Sequence, residues 1–119
     1  MTSGTDLFIA NSLIAPPAAP LHARIMPIAL DRQAVERSWA ARGFSCDVWT
    51  DPPGQVWRDY VHDTDELLML IDGEIEIRLG GKTLRPAVGD EVFIPAQVPH
   101  TVINTGPTTN HWFYGYQVL

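Results

Sequence analysis

Two histidines and one glutamate stand where short predicted strands begin or end, and these side chain types can hold a metal ion. His62 closes one predicted strand, Glu66 opens the next after a three-residue turn, and His100 opens a later strand. A short turn between strands can bring an imidazole and a carboxylate onto the same inner face. Two imidazoles and one carboxylate bind Fe, Mn, Zn or Ni and leave coordination positions open. The residue types therefore suggest a site for one divalent metal ion.

Tyr60 and Arg58 share strand parity with His62, and this parity predicts that both side chains point inward. A phenol with a pKa near 10 is a poor metal ligand unless it is deprotonated. Tyr60 is therefore a weak ligand, a hydrogen-bond donor to bound substrate or water, or core filler. An inward arginine suits a substrate carboxylate or phosphate, and the alternative is that Arg58 turns to solvent or pairs with an acid. Both residues are candidate catalytic residues.

The elements that must position these side chains are short β-strands. Apolar and polar residues alternate from Phe44 onward, and turn residues separate the runs. The sequence Asp72-Gly73 predicts a hairpin between the segments on either side of it, and Gly80-Gly81 predicts a second hairpin. About eight short strands at regular spacing predict an all-β sandwich or barrel.

One short helix and an extended arm are predicted before the strands. Asp31 is a helix N-cap type, Gly43 stands where a C-terminal glycine belongs, and Val35 and Trp39 share one helical face. Four prolines disfavour regular structure in the lead-in. The predicted organisation is an N-terminal arm, or partly disordered tail, over 1–29 and one domain over 30–119, with a helix at about 31–42 and a barrel at about 44–118.

Composition narrows the class of protein. A chain of 119 residues suits one domain. The net charge of -6, with no cluster of lysine or arginine, argues against nucleic acid as a partner, since phosphate binding needs a basic patch. The single cysteine, Cys46, forms no internal disulfide and fits a reducing cytosol. The sequence shows neither a signal peptide pattern nor an apolar run of membrane-spanning length, so we expect a cytoplasmic protein without a membrane partner.

The spacing around the candidate ligands resembles the two signature motifs of the cupin superfamily. The first family motif is G-x5-H-x-H-x3/4-E-x6-G, and the second is G-x5-P-x-G-x2-H-x3-N. Two departures occur, because Tyr60 replaces the first histidine of motif one and Gln97 replaces the glycine after the proline of motif two. The resemblance covers about residues 54–104, and the positions that carry it are Gly54, His62, Glu66 and Gly73 for motif one and Gly89, Pro95, His100 and Asn104 for motif two.

This resemblance implies a double-stranded β-helix, or jelly-roll, barrel of the RmlC-like type. It implies that His62, Glu66 and His100 are ligands of one divalent metal ion and that the fourth ligand position falls on Tyr60. It also implies a protein that binds or acts on a small polar or anionic metabolite inside the barrel, by dioxygenase, isomerase or lyase chemistry. The alternatives are a non-catalytic small-ligand-binding or sensor cupin, and a cupin that has lost its metal.

The segment Leu67–Ile71 is apolar at every position, whereas a strand with one wet face should alternate. Something must therefore cover its outer side. The arm, the helix and a second subunit are the candidates. Because cupins often pair through sheet surfaces, the resemblance favours a homodimer.

Overall fold

A computed structural model describes residues 30–118, so the predicted arm over 1–29 lies outside the described residues. No helix in this part of the chain is both long and apolar enough to cross a membrane. One helix is followed by eight strands, which are α1 (Arg32–Ala41), β1 (Asp47–Asp51), β2 (Val56–Tyr60), β3 (Glu66–Asp72), β4 (Glu76–Leu79), β5 (Lys82–Leu84), β6 (Glu91–Ile94), β7 (His100–Ile103) and β8 (Asn110–Tyr116).

The strands form two antiparallel four-stranded sheets, with the orders β1-β8-β3-β6 and β2-β7-β4-β5. This interleaved order is the jelly-roll, as predicted. The hairpin at Gly80-Gly81 is confirmed, because β4 pairs with β5. The hairpin at Asp72-Gly73 was predicted wrongly, because β3 and β4 lie in different sheets. Both edges of β3 are occupied by β6 and β8, so the chain must cross to the other sheet after Asp72.

The apolar side chains between the two sheets form the inner core. Alternation along β8 sends one set of aromatic residues inward, which includes Trp112 and Tyr114. The same alternation places Leu68 and Leu70 of β3 on this side. The buried members of the inner core are Leu68, Leu70, Ile75, Ile77, Val92, Ile94, Val102 and Trp112.

Helix α1 covers the outer side of the first sheet. Trp39 of α1 is only 1% exposed and packs with Leu67, Met69 and Phe113 in a second buried cluster. The Trp39 indole donates a 3.0 Å hydrogen bond to Glu91 of β6, which fixes the helix on the sheet. The helix is therefore what covers the outer side chains of the doubly apolar strand. This face gives no reason for a second subunit, and the homodimer stays a prediction.

The chain after α1 lies directly against β8. The Ser45 amide donates to the Tyr116 carbonyl at 3.0 Å, and the Tyr116 amide donates to the Ser45 hydroxyl at 2.9 Å. A Cβ atom at Gly115 would overlap the Ser45 carbonyl oxygen and would lie 3.0 Å from the Trp39 ring. Only glycine at position 115 lets this segment and the helix approach the sheet so closely.

Candidate metal centre

The fold brings the three predicted ligands together at one end of the barrel. Ligand atoms of His62, Glu66 and His100 all lie within 4.8 Å of one another. Glu66 Oε1 is 3.2 Å from His62 Nε2 and 3.5 Å from His100 Nε2. Ligand atoms that each sit about 2.1 Å from a common ion are about 3.0–3.4 Å apart at tetrahedral or octahedral angles. The two distances from Glu66 Oε1 lie within or close to this range, so Glu66 could share an ion with either histidine, although the three residues stand 38 positions apart in sequence from first to last.

Strand ends and a loop contact hold the ligands in place. Glu66 is the first residue of β3 and His100 the first of β7, and both are buried. His62 lies in the loop between β2 and β3, where its carbonyl accepts a 2.8 Å hydrogen bond from the Gln97 amide. Gln97 has a φ of 67°, in the left-handed region that favours glycine. This conformation explains why the family pattern has glycine at the position that Gln97 occupies.

A backbone contact sets the orientation of the His100 ring. Nδ1 lies 3.0 Å from the Val98 carbonyl oxygen. A carbonyl can only accept, so Nδ1 carries the proton and donates it in this bond. The lone pair of Nε2 then faces Glu66 and is available to a metal ion. The contact thus fixes the ring with Nε2 directed at the candidate metal position.

Burying the ionised Glu66 carboxylate costs free energy, and a bound cation would reduce that cost. Glu66 Oε1 is buried and has no hydrogen-bond partner among the described residues. Burial raises the pKa of Glu66 to about 7. Burial also lowers the pKa of His62 below its usual value, and the charge of His100 lowers it further. A buried carboxylate oxygen that has no hydrogen-bond partner and lies between two imidazoles fits a divalent ion, because the ion supplies the missing charge partner.

Replacing Glu66 with glutamine tests this cost in the metal-free protein. The folded pKa lies above the unfolded value, so the stability contribution of Glu66 is full below about pH 4.5 and is lost as the pH rises through 7. The loss is about 3 kcal/mol at about 1.4 kcal/mol per pKa unit. In urea unfolding of the chelated protein, the free energy of unfolding of Glu66→Gln relative to that of wild type should therefore rise by about 3 kcal/mol between pH 4.5 and 8. A difference that is constant across this range would contradict the burial effect.

The structure separates Tyr60 and Arg58, which the strand parity predicted to share a face. Tyr60 stands beside His62, with ring centroids 6.3 Å apart, and is 45% exposed. The pairing of β2 shifts between Trp57 and Tyr60, where Asp59 has a φ of 55°. This bulge makes Trp57 pack against the inner core, while Arg58 is exposed. The inward placement predicted for Arg58 is therefore wrong, because the bulge breaks the alternation.

Tyr116 is a neighbour of the site that the sequence did not single out. It is the Cα partner of Glu66 in the first sheet, and its ring lies 4.9 Å from that of His62. Burial, with a further effect from the Glu66 charge, raises the pKa of Tyr116 to about 12. The phenol therefore stays protonated and can donate a hydrogen bond. Alternation along β8 places Trp112, Tyr114 and Tyr116 on one face, and this period is the only local signal for Tyr116, but it does not show which member reaches the candidate metal centre.

Comparison with known proteins identifies the class of fold. Residues 47–116 match the family model described as the Cupin domain. None of the curated proteins matches the sequence.

Three solved structures illustrate the likeness. A predicted oxalate decarboxylase from Thermotoga maritima has 22% identity and a TM-score of 0.58, over 76% of each chain. An RmlC-like cupin from Shewanella frigidimarina has 17% identity and a TM-score of 0.57, over 65% of this chain and 68% of that one. A DMSP lyase from Ruegeria pomeroyi has 24% identity and a TM-score of 0.57, over 63% of this chain but only 38% of its own. At these identities the likeness shows the fold alone.

Proposed function

This chain belongs to the cupin superfamily, and from that premise we propose that it is a metal-dependent enzyme acting on a small polar metabolite inside the barrel. The observation that carries the proposal is the buried Glu66 oxygen without a hydrogen-bond partner, placed between two imidazoles. A divalent ion bound there would supply a Lewis-acidic centre with open coordination positions.

Access to the site supports catalysis on a small ligand. The His62 side chain is 23% exposed and Tyr60 is 45% exposed, so solutes reach the site from this end of the barrel. The apolar inner core is buried, so a ligand would bind at this end of the barrel. Similar folds carry proteins named as a lyase and a predicted decarboxylase, which favours an enzyme over a purely structural barrel.

Metal content and turnover test this proposal together. Protein purified without added metal should contain close to one equivalent of a divalent ion by elemental analysis. In a screen of small metabolites by oxygen consumption and by mass spectrometry of products, turnover should stop on chelation and return with metal. Turnover that survives complete removal of metal would refute the proposal. A full metal complement without turnover would instead favour a ligand-binding or sensor cupin.

For Tyr60 we propose the role of a hydrogen-bond donor to bound substrate or water. Its exposed ring stands beside His62 at the entrance to the site. Tyr60→Phe should leave metal content unchanged and weaken substrate binding or turnover by about 1–3 kcal/mol, because the bound substrate would bury this hydrogen bond and leave it unmade in the variant. Calorimetry of metal binding and steady-state kinetics measure the two effects separately. A large loss of metal in Tyr60→Phe would make the phenol a ligand instead.

For Arg58 we propose contact with an anionic group of the substrate at the rim of the barrel. Its guanidinium is exposed one residue from the inward Trp57. A planar fork of this kind suits a carboxylate or phosphate. Because Arg58 is exposed, its side chain does not line the inner wall of the site. We therefore place the contact with the substrate at the entrance.

Assembly and compartment also remain proposals. The helix already covers Leu67 and Met69, so a homodimer would have to form through another surface. Cys46 is half-buried, and burial raises the pKa of its thiol to about 11. A thiol that stays protonated reacts slowly, which is compatible with the cytosolic location we propose.

A further inference from the structure

Six aromatic side chains between the sheets form a closed cycle of edge-on ring contacts, which we call the aromatic cluster. Neighbouring centroids are 4.9 to 6.3 Å apart. Each ring of the cluster touches the next at a steep angle, the preferred geometry for aromatic pairs. In order around the cycle the members are His62, Tyr60, Trp57, Trp49, Tyr114 and Tyr116.

The aromatic cluster lies where the two sheets meet at β1 and β2. These strands belong to different sheets and form no ladder with each other in the described chain. Trp49 comes from β1 and Trp57 from β2, and their rings touch at 5.9 Å. Both indoles donate to the Asp51 carboxylate, at 2.9 Å and 3.0 Å. One buried acid therefore holds the two sides of the cluster together.

The aromatic cluster is more open than ordinary core. Trp49 is 40% exposed and Tyr60 is 45% exposed, whereas Leu68 and Ile77 of the inner core are fully buried. No ring contact crosses the cycle among the described residues. A regular cycle with these spacings would place each centroid about 6 Å from its middle, the range over which a ring attracts a cation. The arrangement suits a small group held against several rings at once.

The charge around the aromatic cluster favours a cationic group. The acid that joins its two indoles is buried and is anionic when ionised, whereas Arg58, between Trp57 and Tyr60 in sequence, is exposed. An indole whose N–H is bound by a carboxylate carries more negative charge on its ring, which strengthens attraction to a cation. The oxygens of Asp51 are already used by the indoles. A methylated ammonium needs no hydrogen-bond acceptor and can be held by the ring faces alone.

We propose that the aromatic cluster binds a methylated ammonium group of a small ligand. The inference rests on the proposed function in one respect only, which is that the methylated ammonium belongs to the substrate of the neighbouring metal centre. Binding of the group itself does not require the metal. The substrate class that follows is a small metabolite with a quaternary ammonium at one end and a polar group at the other.

Choline and its neutral isostere 3,3-dimethylbutan-1-ol test the proposal on the full chain. Both are titrated into protein treated with chelator, and binding is followed by calorimetry and by tryptophan fluorescence, which Trp49 and Trp57 report. Choline should bind at least about tenfold more tightly than the isostere, because the two differ in charge and hardly in shape. Equal affinities, or no binding of choline at millimolar concentration, would overturn the proposal.

Substitutions locate the binding to the aromatic cluster. Trp49→Leu and Trp57→Leu should each weaken choline binding at least about tenfold, and Asp51→Asn should narrow the preference for choline over the isostere. The matched control is Trp39→Phe, since Trp39 packs on the outer side of the first sheet. If Trp57→Leu fails to fold, the more exposed Trp49 provides the test. Choline binding that is unchanged in Trp49→Leu would overturn the assignment.

A metal titration of the same samples separates this inference from the proposed function. Choline binding in the chelated protein, together with failure of the same protein to take up metal when metal is added back, supports the aromatic site and refutes the metal-dependent enzyme. Metal binding without a preference for choline over its isostere would refute the aromatic site and support the metal centre. The two readouts are independent, because the choline titration is done without metal.

Discussion

Replacing His100 with alanine should lower the affinity for divalent metal by well over about a hundredfold. Loss of a partner that only orients a ligand already costs about 10–100-fold. His100 is itself one of three groups whose ligand atoms converge, and it is 4% exposed. Two remaining groups compete poorly with water for the ion. His62→Ala and Glu66→Ala should have the same effect, so each of the three residues should be required for metal binding.

Elemental analysis and competition with a metal-sensitive dye measure this loss. The matched control is His111→Ala, because His111 pairs with Asp72 at 2.6 Å and is not part of the convergent group. The control should keep its metal. One equivalent of metal in His100→Ala would show that the ion binds somewhere other than this centre.

The second large effect is expected at a position without a side chain. Gly115→Ala should destabilise the protein by more than about 3 kcal/mol, because the new methyl group would overlap backbone rather than a flexible side chain. Either the Ser45 segment or β8 must move, and both carry hydrogen bonds that join them. Loss of soluble protein or a large drop in the urea midpoint would be the result.

Gly106→Ala is the control for this substitution. The nearest atom to a methyl group at Gly106 would be the Glu74 Cβ, at 3.1 Å, so a shift of a few tenths of an ångström would relieve the contact. Its cost in free energy of unfolding should be much smaller. Equal stability of Gly115→Ala and wild type would mean that the Ser45 segment is not held against β8 in solution.

Local sequence features predicted much of this fold. The helix limits were close, since Asp31 accepts from the Ala34 amide at 3.2 Å and α1 ends before Gly43, which has a φ of 86°. The spacing of the motifs predicted the ligand set that the fold brings together. These features depend on neighbouring residues or on a recurrent pattern, so a single sequence contains them.

Other features depend on which strands meet, and the sequence does not state that. The turn at Asp72-Gly73 marks a change of direction but not a change of sheet. The bulge at Asp59 shifts the alternation of side chains along β2 by one residue. Trp57 therefore points to the inner face, where the sequence predicted Arg58. The place of Tyr116 beside the ligands follows from its register against Glu66, across 50 positions of sequence. Long-range register was therefore the information missing from the site prediction.

The strand order also determines when the protein can acquire its structure during synthesis. β8 lies between β1 and β3 in the first sheet, so these earlier strands have no shared neighbour until β8 has left the ribosome. Such non-local pairing makes folding slow, because long loops must close, with a loss of entropy, before the stabilising contacts form. The candidate ligands Glu66 and His100 precede β8, yet Tyr116 at its end lies beside the candidate site. Metal capture and folding should thus coincide late, after the last strand has been inserted.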